Sequence, residues 1–416
     1  MLRIAIVCSV VWVAMSFCAC RHIEQSSLSL RFEDLHLLPA EELFDDLDCE
    51  LRARKAMHID SLFKRLQRLT GFNGVVLYAE KGHLIYQQAF GYEDPLRKRK
   101  PLSIESRFEL ASVSKMFTAT AILQLKEQGK IDLDTDIREY IPEWPYENIT
   151  TRLLLNHRSG LSRYESLADE YWPDKTVFLT NDAMIRLYMQ YRPAPYFKPN
   201  GGFHYCNINY ALLASIVERV TGVRFADYMM EHVFIPAHMT HSEIYQINNE
   251  GRLNGYRQGL VPGYDSRGRR LVSVPDDYLN GVVGDKVMIS TVSDLYNFEI
   301  ALNTGVLLSE SSLKEAYSSG SPAYRRRKDN YGFGWRIRTE ADSAVYHYGW
   351  WKGFRSFFIR DLAQQKTLIV LSNKAKGPGA DHFWKLINDT IYELPKASAY
   401  YLVSRQRMDQ TIRPEI

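Results

Sequence analysis

A nucleophilic serine needs a base within hydrogen-bond reach, and Ser-x-x-Lys on a helix supplies one by placing hydroxyl and amine on the same face. The chain carries this spacing three times, at Ser61 and Lys64, Ser112 and Lys115, and Ser311 and Lys314. Context separates them. Ser61 and Lys64 lie in an amphipathic, Arg-rich stretch, and Ser311 and Lys314 in the polar run Ser309-Glu310-Ser311-Ser312-Leu313-Lys314-Glu315, so both read as solvated helix faces. Ser112 is followed by Met116-Phe117-Thr118-Ala119-Thr120-Ala121-Ile122-Leu123-Gln124-Leu125, apolar nearly all round and therefore a buried helix. In the first turn of such a helix the dipole and burial both disfavour the lysine cation, the condition a base near neutral pH needs. Snorkelling of Lys115 to solvent is the competing reading.

The same chemistry wants a proton shuttle and donors for an oxyanion. Tyr-x-Asn in an extended segment puts both side chains on one side. It also occurs three times, at Tyr146 and Asn148, Tyr205 and Asn207, and Tyr278 and Asn280. Chance alone supplies roughly one such match in so Tyr-rich a chain. Tyr205-Cys206-Asn207 stands directly before an apolar helix over 210–220 that Gly222 ends. Asn207 or Asn209 capping that helix is compatible with a role in catalysis.

The elements that must position these residues follow from periodicity. Ile59, Leu62, Phe63, Leu66 and Leu69 have helical spacing, and Gly71 stops the helix. Two β-like runs, 74–79 and 84–90, flank the turn Lys81-Gly82-His83. A helical middle spans roughly 112–275, strand-like runs return at 332–337, 355–359 and 367–372, and an amphipathic helix covers 382–392. Strands at both ends of the chain predict one antiparallel sheet, flanked by helices and interrupted by an all-helical insertion, in the α/β class.

Composition excludes other classes. The chain has 416 residues, 45% hydrophobic and 24% charged, with 24 Gly and 16 Pro, which rules out disorder and collagen-like character. With 52 basic against 49 acidic residues and no polybasic arm, nucleic acid is not an expected partner. The N-terminus reads as an address. Met1-Leu2-Arg3 precedes an apolar run over 4–19, short of the ~20 residues a spanning helix needs. The run ends in Phe17-Cys18-Ala19-Cys20 and turns polar at Arg21-His22. A small residue before a cysteine resembles a bacterial lipoprotein signal, in which Cys20 becomes the lipidated first residue; an ordinary signal peptide or a short anchor is the alternative. The expectation is an exported, membrane-tethered protein, with 1–19 as signal and the charge-blocked 20–54 as tether or leader. Of five cysteines only Cys49 and Cys206 then remain, so no disulfide framework is expected.

Taken together the motifs resemble those of class C β-lactamases and low-molecular-weight penicillin-binding proteins. Phe108-Glu109-Leu110-Ala111-Ser112-Val113-Ser114-Lys115 is similar to their nucleophile motif. Gly129-Lys130-Ile131-Asp132-Leu133-Asp134 through Tyr140-Ile141-Pro142, and Leu154-Leu155-Asn156-His157-Arg158-Ser159-Gly160-Leu161, follow in the family's order. So do Tyr205-Cys206-Asn207-Ile208-Asn209-Tyr210-Ala211-Leu212-Leu213, Ser290-Thr291-Val292-Ser293-Asp294-Leu295, Tyr331-Gly332-Phe333-Gly334-Trp335 and His347-Tyr348-Gly349. The likeness covers roughly 59–392. It implies a hydrolase domain over 55–396, with an α/β part (55–111 and 280–396), a helical part (112–279) and a tail over 397–416.

The resemblance implies Ser112 as nucleophile, Lys115 as its partner, Tyr205 as general base and then acid, and Asn207 as holder of the substrate amide. The backbone N–H groups of Ser112 and Trp350 would form the oxyanion hole, each worth about 3 kcal/mol in the transition state. The third family motif is usually Lys-Thr-Gly or Lys-Ser-Gly; His347-Tyr348-Gly349 stands there instead, as in members that resemble esterases and D-aminopeptidases. That exchange removes a permanent cation and a short hydroxyl that grip a substrate carboxylate. With an ordinary value near ~6.5, His347 is expected to change charge across the working pH range. Cys206 replaces the usual serine as a tolerated small residue. His157 is expected to be a packed structural histidine, and Trp350 and Trp351 to line the pocket or pack the strand. His232, His238 and His241 cluster, but Pro236-Ala237-His238-Met239-Thr240 is similar to a family turn, so no metal or other cofactor is expected. The sum is a serine hydrolase acting through an acyl-enzyme on a small peptide, ester or cell-wall-derived substrate. The alternatives are a penicillin-binding D-Ala peptidase or weak β-lactamase, and a catalytically idle envelope binding protein.

Overall fold

The computed structural model describes residues 49–244, 247, 259–268, 270–321, 329–338 and 344–388. The expectations placed on 1–48, Cys20 among them, and on the tail over 397–416 lie outside these residues. Helix α1 (Cys49–Thr70) starts well before the first periodic apolar position and ends where Gly71 takes φ +66°. Strands β1 (Gly74–Glu80) and β2 (His83–Phe90) form the expected hairpin, followed by β3 (Tyr92–Asp94), β4 (Arg99–Pro101) and β5 (Phe108–Glu109).

The middle of the chain holds helices α2 (Ser114–Glu127), α3 (Thr151–Leu155), α4 (Tyr164–Tyr171), α5 (Asn181–Tyr191), α6 (Ile208–Thr221) and α7 (Phe225–Met229). Within it the chain also forms β6 (Glu243–Ile244) and a hairpin of β7 (Tyr264–Arg267) and β8 (Arg270–Ser273). Then come β9 (Met288–Ser290), α8 (Val292–Asn303), α9 (Glu310–Ala316), β10 (Asp329–Tyr331), β11 (Arg336–Arg338), β12 (Ala344–Trp351), β13 (Phe354–Asp361), β14 (Lys366–Ser372) and α10 (Ala380–Ile387).

The main sheet has seven strands in the order β10-β11-β12-β13-β14-β1-β2, and every neighbouring pair is antiparallel. Strands from early and late in the described residues are therefore neighbours in this sheet, where Val76 lies opposite Val370. Both faces are covered, which explains why β1 and β14 are buried along their whole length instead of alternating with solvent. Val75, Leu77, Ile369 and Leu371 face the main core; Val76, Tyr78, Leu368 and Val370 face a second core closed by Ile59, Phe63 and Leu66 of α1 and Phe383 and Leu386 of α10.

A smaller sheet, ordered β5-β9-β6, supports the turn that follows β5. Phe108 pairs with Ser290 and Glu109 with Ile289, and the Leu110 amide donates to the Met288 carbonyl at 2.8 Å. The chain then makes a 3-10 turn over Ala111–Val113 before α2 begins.

Candidate active site

Ser112 sits in that 3-10 turn rather than in the helix, and Lys115 in the first turn of α2. Ala111 enters the turn at φ +50°, a left-handed conformation that costs a Cβ-bearing residue about 1–3 kcal/mol. Strand β12 presses against it. A Cβ on Gly349 would stand 2.1 Å from the Leu110 carbonyl oxygen and 3.1 Å from Ala111 Cβ, so only glycine permits this approach. Gly334, at φ +80°, likewise brings the loop before β11 onto α2, where a Cβ would lie 2.9 Å from the Lys115 carbonyl oxygen.

Lys115 is 0% exposed, so it does not snorkel. Its Nζ lies 3.2 Å from Ser112 Oγ, 2.8 Å from Asn207 Oδ1 and 2.7 Å from the backbone oxygen of Asp285. Two of these partners can only accept. Asn207 Oδ1 and the Asp285 oxygen therefore take two of the lysine's N–H groups, and Ser112 Oγ meets the remaining position on the nitrogen.

The other two Ser-x-x-Lys pairs are surface pairs. Lys64 pairs with Asp60 at 2.7 Å and Lys314 with Glu310 at 2.6 Å, each one helical turn away. Ser61 Oγ donates back to the Met57 carbonyl. The Tyr-x-Asn matches separate equally well. Tyr146 donates to the Pro193 carbonyl at 2.6 Å, and Tyr278 donates to Asp169. Tyr205 alone of the three tyrosines comes to Lys115, whose Nζ lies 5.1 Å from its ring centroid. The Arg336 guanidinium lies 5.0 Å from the same centroid. The Tyr205 hydroxyl is buried without a hydrogen-bond partner among the described residues.

Asn207 stands at the N-cap of α6 but its side chain makes no cap bond. Its Oδ1 accepts from Lys115, and its Nδ2 donates to Glu165 Oε1 at 2.6 Å. Asn209 faces inward, accepting from Ser159 Oγ and donating to His157 Nδ1. His157 Nδ1 also accepts from the Cys206 amide, and its ring packs 4.4 Å from that of Tyr205. It thereby fixes the Tyr205–Asn207 segment. Burial, with the charges of Lys115 and Arg336, holds its pKa well below 6.5, so it is neutral. The Cys206 thiol points away to the Ser162 carbonyl, and burial pushes its pKa up to about 12.

The sequence profile of the β-lactamase family matches residues 59–390. The chain belongs to the β-lactamase family. A penicillin-binding protein of Bacillus subtilis (strain 168) is 35% identical over 337 residues, covering 78% of this chain and 73% of that one. The D-aminopeptidase of Brucella anthropi is 32% identical over 327 residues, covering 77% of this chain and 60% of the relative. The crystal structure of penicillin binding protein from Bacillus halodurans shares the fold with a TM-score of 0.67 at 24% identity, covering 80% of this chain and 98% of that one. This β-lactamase-family chain is a serine hydrolase.

One expectation is overturned. His347 is 0% exposed, and burial, with Arg336 and Lys115 nearby, holds its pKa well below 6.5. Its Nδ1 faces the Tyr348 carbonyl at 2.9 Å, which can only accept, so Nε2 accepts from the Tyr331 hydroxyl at 2.9 Å. A neutral ring so committed does not change charge near neutrality. Tyr348 packs in the second core and its hydroxyl accepts from Trp384 Nε1, so it sits on the face of β12 away from His347. Trp350 is 70% exposed, whereas Trp351 is half-buried and donates to Asn280 Oδ1 at 3.2 Å.

Five residues at the site escaped the sequence reading: Tyr164, Glu165, Asp285, Lys286 and Arg336. Tyr164 donates to Asp285 Oδ2 at 3.0 Å, and Lys286 Nζ contacts both Asp285 carboxylate oxygens and Tyr164. Asp285 serves Lys115 through its backbone oxygen, which leaves no side-chain signature. Arg336 had a usable signal: a basic residue in a strand whose neighbours are apolar.

Proposed function

We propose that this hydrolase cleaves an amide or ester bond in a small peptide- or cell-wall-derived substrate through an acyl-enzyme on Ser112. The observation that carries the reading is the arrangement at Lys115, where two acceptors fix the N–H groups and Ser112 Oγ meets the remaining position. Ser112 Oγ attacks the carbonyl carbon as its proton passes to the Lys115 amine. Lys115 thus takes the base role that the resemblance gave to Tyr205, because its Nζ lies 3.2 Å from Ser112 Oγ, whereas the Tyr205 hydroxyl has no hydrogen-bond partner among the described residues. Tyr205 gives its hydroxyl proton to the departing nitrogen or oxygen as that bond breaks, leaving a phenolate whose ring has Lys115 and Arg336 at 5.1 and 5.0 Å. The proton on Lys115 restores Tyr205. Water then attacks the ester carbonyl by the reverse path, releasing the acid and regenerating Ser112.

One feature favours a peptide and another a substrate carboxylate. The relatives include proteins named for penicillin binding and for D-aminopeptidase activity. No carboxylate of the described residues pairs with Arg336, which puts a permanent cation beside Tyr205. The apolar run over 4–19 and Cys20 support action in the bacterial envelope by a lipid-anchored protein. Labelling with a fluorophosphonate tests the enzymatic reading: wild type is labelled and Ser112→Ala is not. An unlabelled wild type would leave an idle envelope binder. Cys20→Ser tests the anchor, which predicts a change in mass and release from the membrane fraction.

A further inference from the structure

We infer that Tyr164 and Glu165, consecutive residues at the start of α4, form a clamp that aims the Lys115 amine at Ser112. The inference rests on the reading of Ser112 as nucleophile. Each residue holds one of the two acceptors that fix Lys115. Glu165 Oε1 accepts from Asn207 Nδ2 at 2.6 Å, and Asn207 Oδ1 accepts from Lys115 at 2.8 Å. The Tyr164 hydroxyl donates to Asp285 Oδ2 at 3.0 Å, and the Asp285 backbone oxygen accepts from Lys115 at 2.7 Å.

The Glu165 arm has a direction built into it. An ionised carboxylate only accepts, so it draws the amide nitrogen of Asn207 and turns the amide oxygen to Lys115. A reversed amide would set its N–H groups against the lysine, which would lose one of the contacts that aim its nitrogen at Ser112. Glu165 is 7% exposed, and Arg163 Nε lies 3.8 Å from its second oxygen, so the carboxylate is held between the amide and one arginine. The Tyr164 arm is also braced. Tyr164 is 0% exposed and Lys286 Nζ bonds both its hydroxyl and the Asp285 carboxylate, keeping the 285 backbone in place beside Lys115. Both residues act through others and are positioning residues.

The test measures single-turnover acylation by p-nitrophenyl acetate, with KM and thermal unfolding in parallel. Glu165→Leu removes the acceptor and is expected to slow acylation about 100-fold, the scale of a misplaced catalytic group, with KM changed less than about twofold. Glu165→Gln keeps a carbonyl oxygen for Asn207 and is expected to stay within about threefold of wild type. Tyr164→Phe, which removes one hydroxyl and keeps the ring, is expected to slow acylation about tenfold; it decides the case if Glu165→Leu does not fold. Wild-type rates in Glu165→Leu or in Tyr164→Phe overturn the clamp. So does a Glu165→Gln as slow as Glu165→Leu, which would give the carboxylate a charge or proton-transfer role instead. A wild type that is never acylated at Ser112 defeats the underlying hydrolase reading instead, a separate outcome.

Discussion

Lys115 Nζ lies 2.7 Å from the backbone oxygen of Asp285, across 170 residues of chain. The buried amine is thus oriented by a segment that returns from the far side of the helical middle. Gly284 makes that return possible: at φ +96° it runs so close to α6 that a Cβ would stand 2.4 Å from the Tyr210 carbonyl oxygen. Its own carbonyl oxygen accepts from Thr118 at 2.7 Å, one turn along α2 from Lys115. Backbone geometry at 284–285 and side-chain chemistry at 115 form one unit.

Ser112→Ala should abolish fluorophosphonate labelling and ester turnover while changing stability by less than about 1 kcal/mol, the usual scale of one hydrogen bond. Its hydroxyl touches Lys115 at 3.2 Å from a partly exposed turn, so removing it strands little. Ser61→Ala and Ser311→Ala, on exposed helix faces, should turn over at the wild-type rate. Loss of activity in either would move the nucleophile elsewhere.

Lys115 separates a base from a cation. Lys115→Arg keeps the charge but cannot accept a proton, and Lys115→Met keeps volume without either property. Both should lose acylation by about 1,000-fold, within the range for a general base. Lys115→Met also leaves Asn207 Oδ1 and the Asp285 oxygen without their donor, which should lower unfolding free energy in urea by about 1–3 kcal/mol. Substantial activity in Lys115→Arg would mean that the lysine serves as a fixed cation.

The sheet was legible because two of its neighbouring strands, β1 and β14, are apolar runs far apart in the sequence, each recognisable alone. Ser112, Lys115 and Tyr205 stand out in the sequence because an apolar helix follows each motif, and the fold brings the three together while their rivals stay apart. Glu165 was not legible, since its role depends on a contact with Asn207, 42 residues away; Arg336 carried a strand-context signal, but its place beside the Tyr205 ring comes from the fold alone. His347 was misjudged for a physical reason: its motif says nothing of burial, and burial decides its charge.

Stability should depend on pH through that burial. The pKa values of His157 and His347 are held well below 6.5 in the fold, whereas both return near ~6.5 when it opens. Between the folded and unfolded values the unfolded chain binds more protons, so stability rises with pH through that window. The contribution is fully present above about 6.5 and is lost as pH falls, by up to about 1.4 kcal/mol per pH unit for each ring. Melting curves from pH 8 to pH 5 should show the decline, and His347→Gln should make it shallower. An unchanged slope in that variant would mean the ring titrates normally in the fold. Activity near neutrality should show no transition belonging to His347.

Arg336 bears on what the enzyme selects. With His347 neutral and Tyr348 turned to the opposite face of β12, neither can grip a substrate carboxylate as the usual lysine and threonine do. The Arg336 guanidinium lies 5.0 Å from the Tyr205 ring centroid and 5.8 Å from that of Tyr331, beside the residue proposed to protonate the leaving group. An arginine–carboxylate contact of good geometry is worth roughly 1.5–3 kcal/mol, a factor of about 10 to 100 in kcat/KM. A pair of peptide substrates differing only in a free or methyl-esterified C-terminus isolates the effect. Wild type should prefer the free acid, and Arg336→Gln should lose about that factor on the acid, mainly in KM, while staying within about threefold on the methyl ester. Equal losses on both substrates would make Arg336 a support for the Tyr205 ring instead of a reader of the carboxylate. Lys at position 336 offers the finer distinction: it keeps the charge without the planar fork, so retention of the acid preference in Arg336→Lys would mean that charge alone is read.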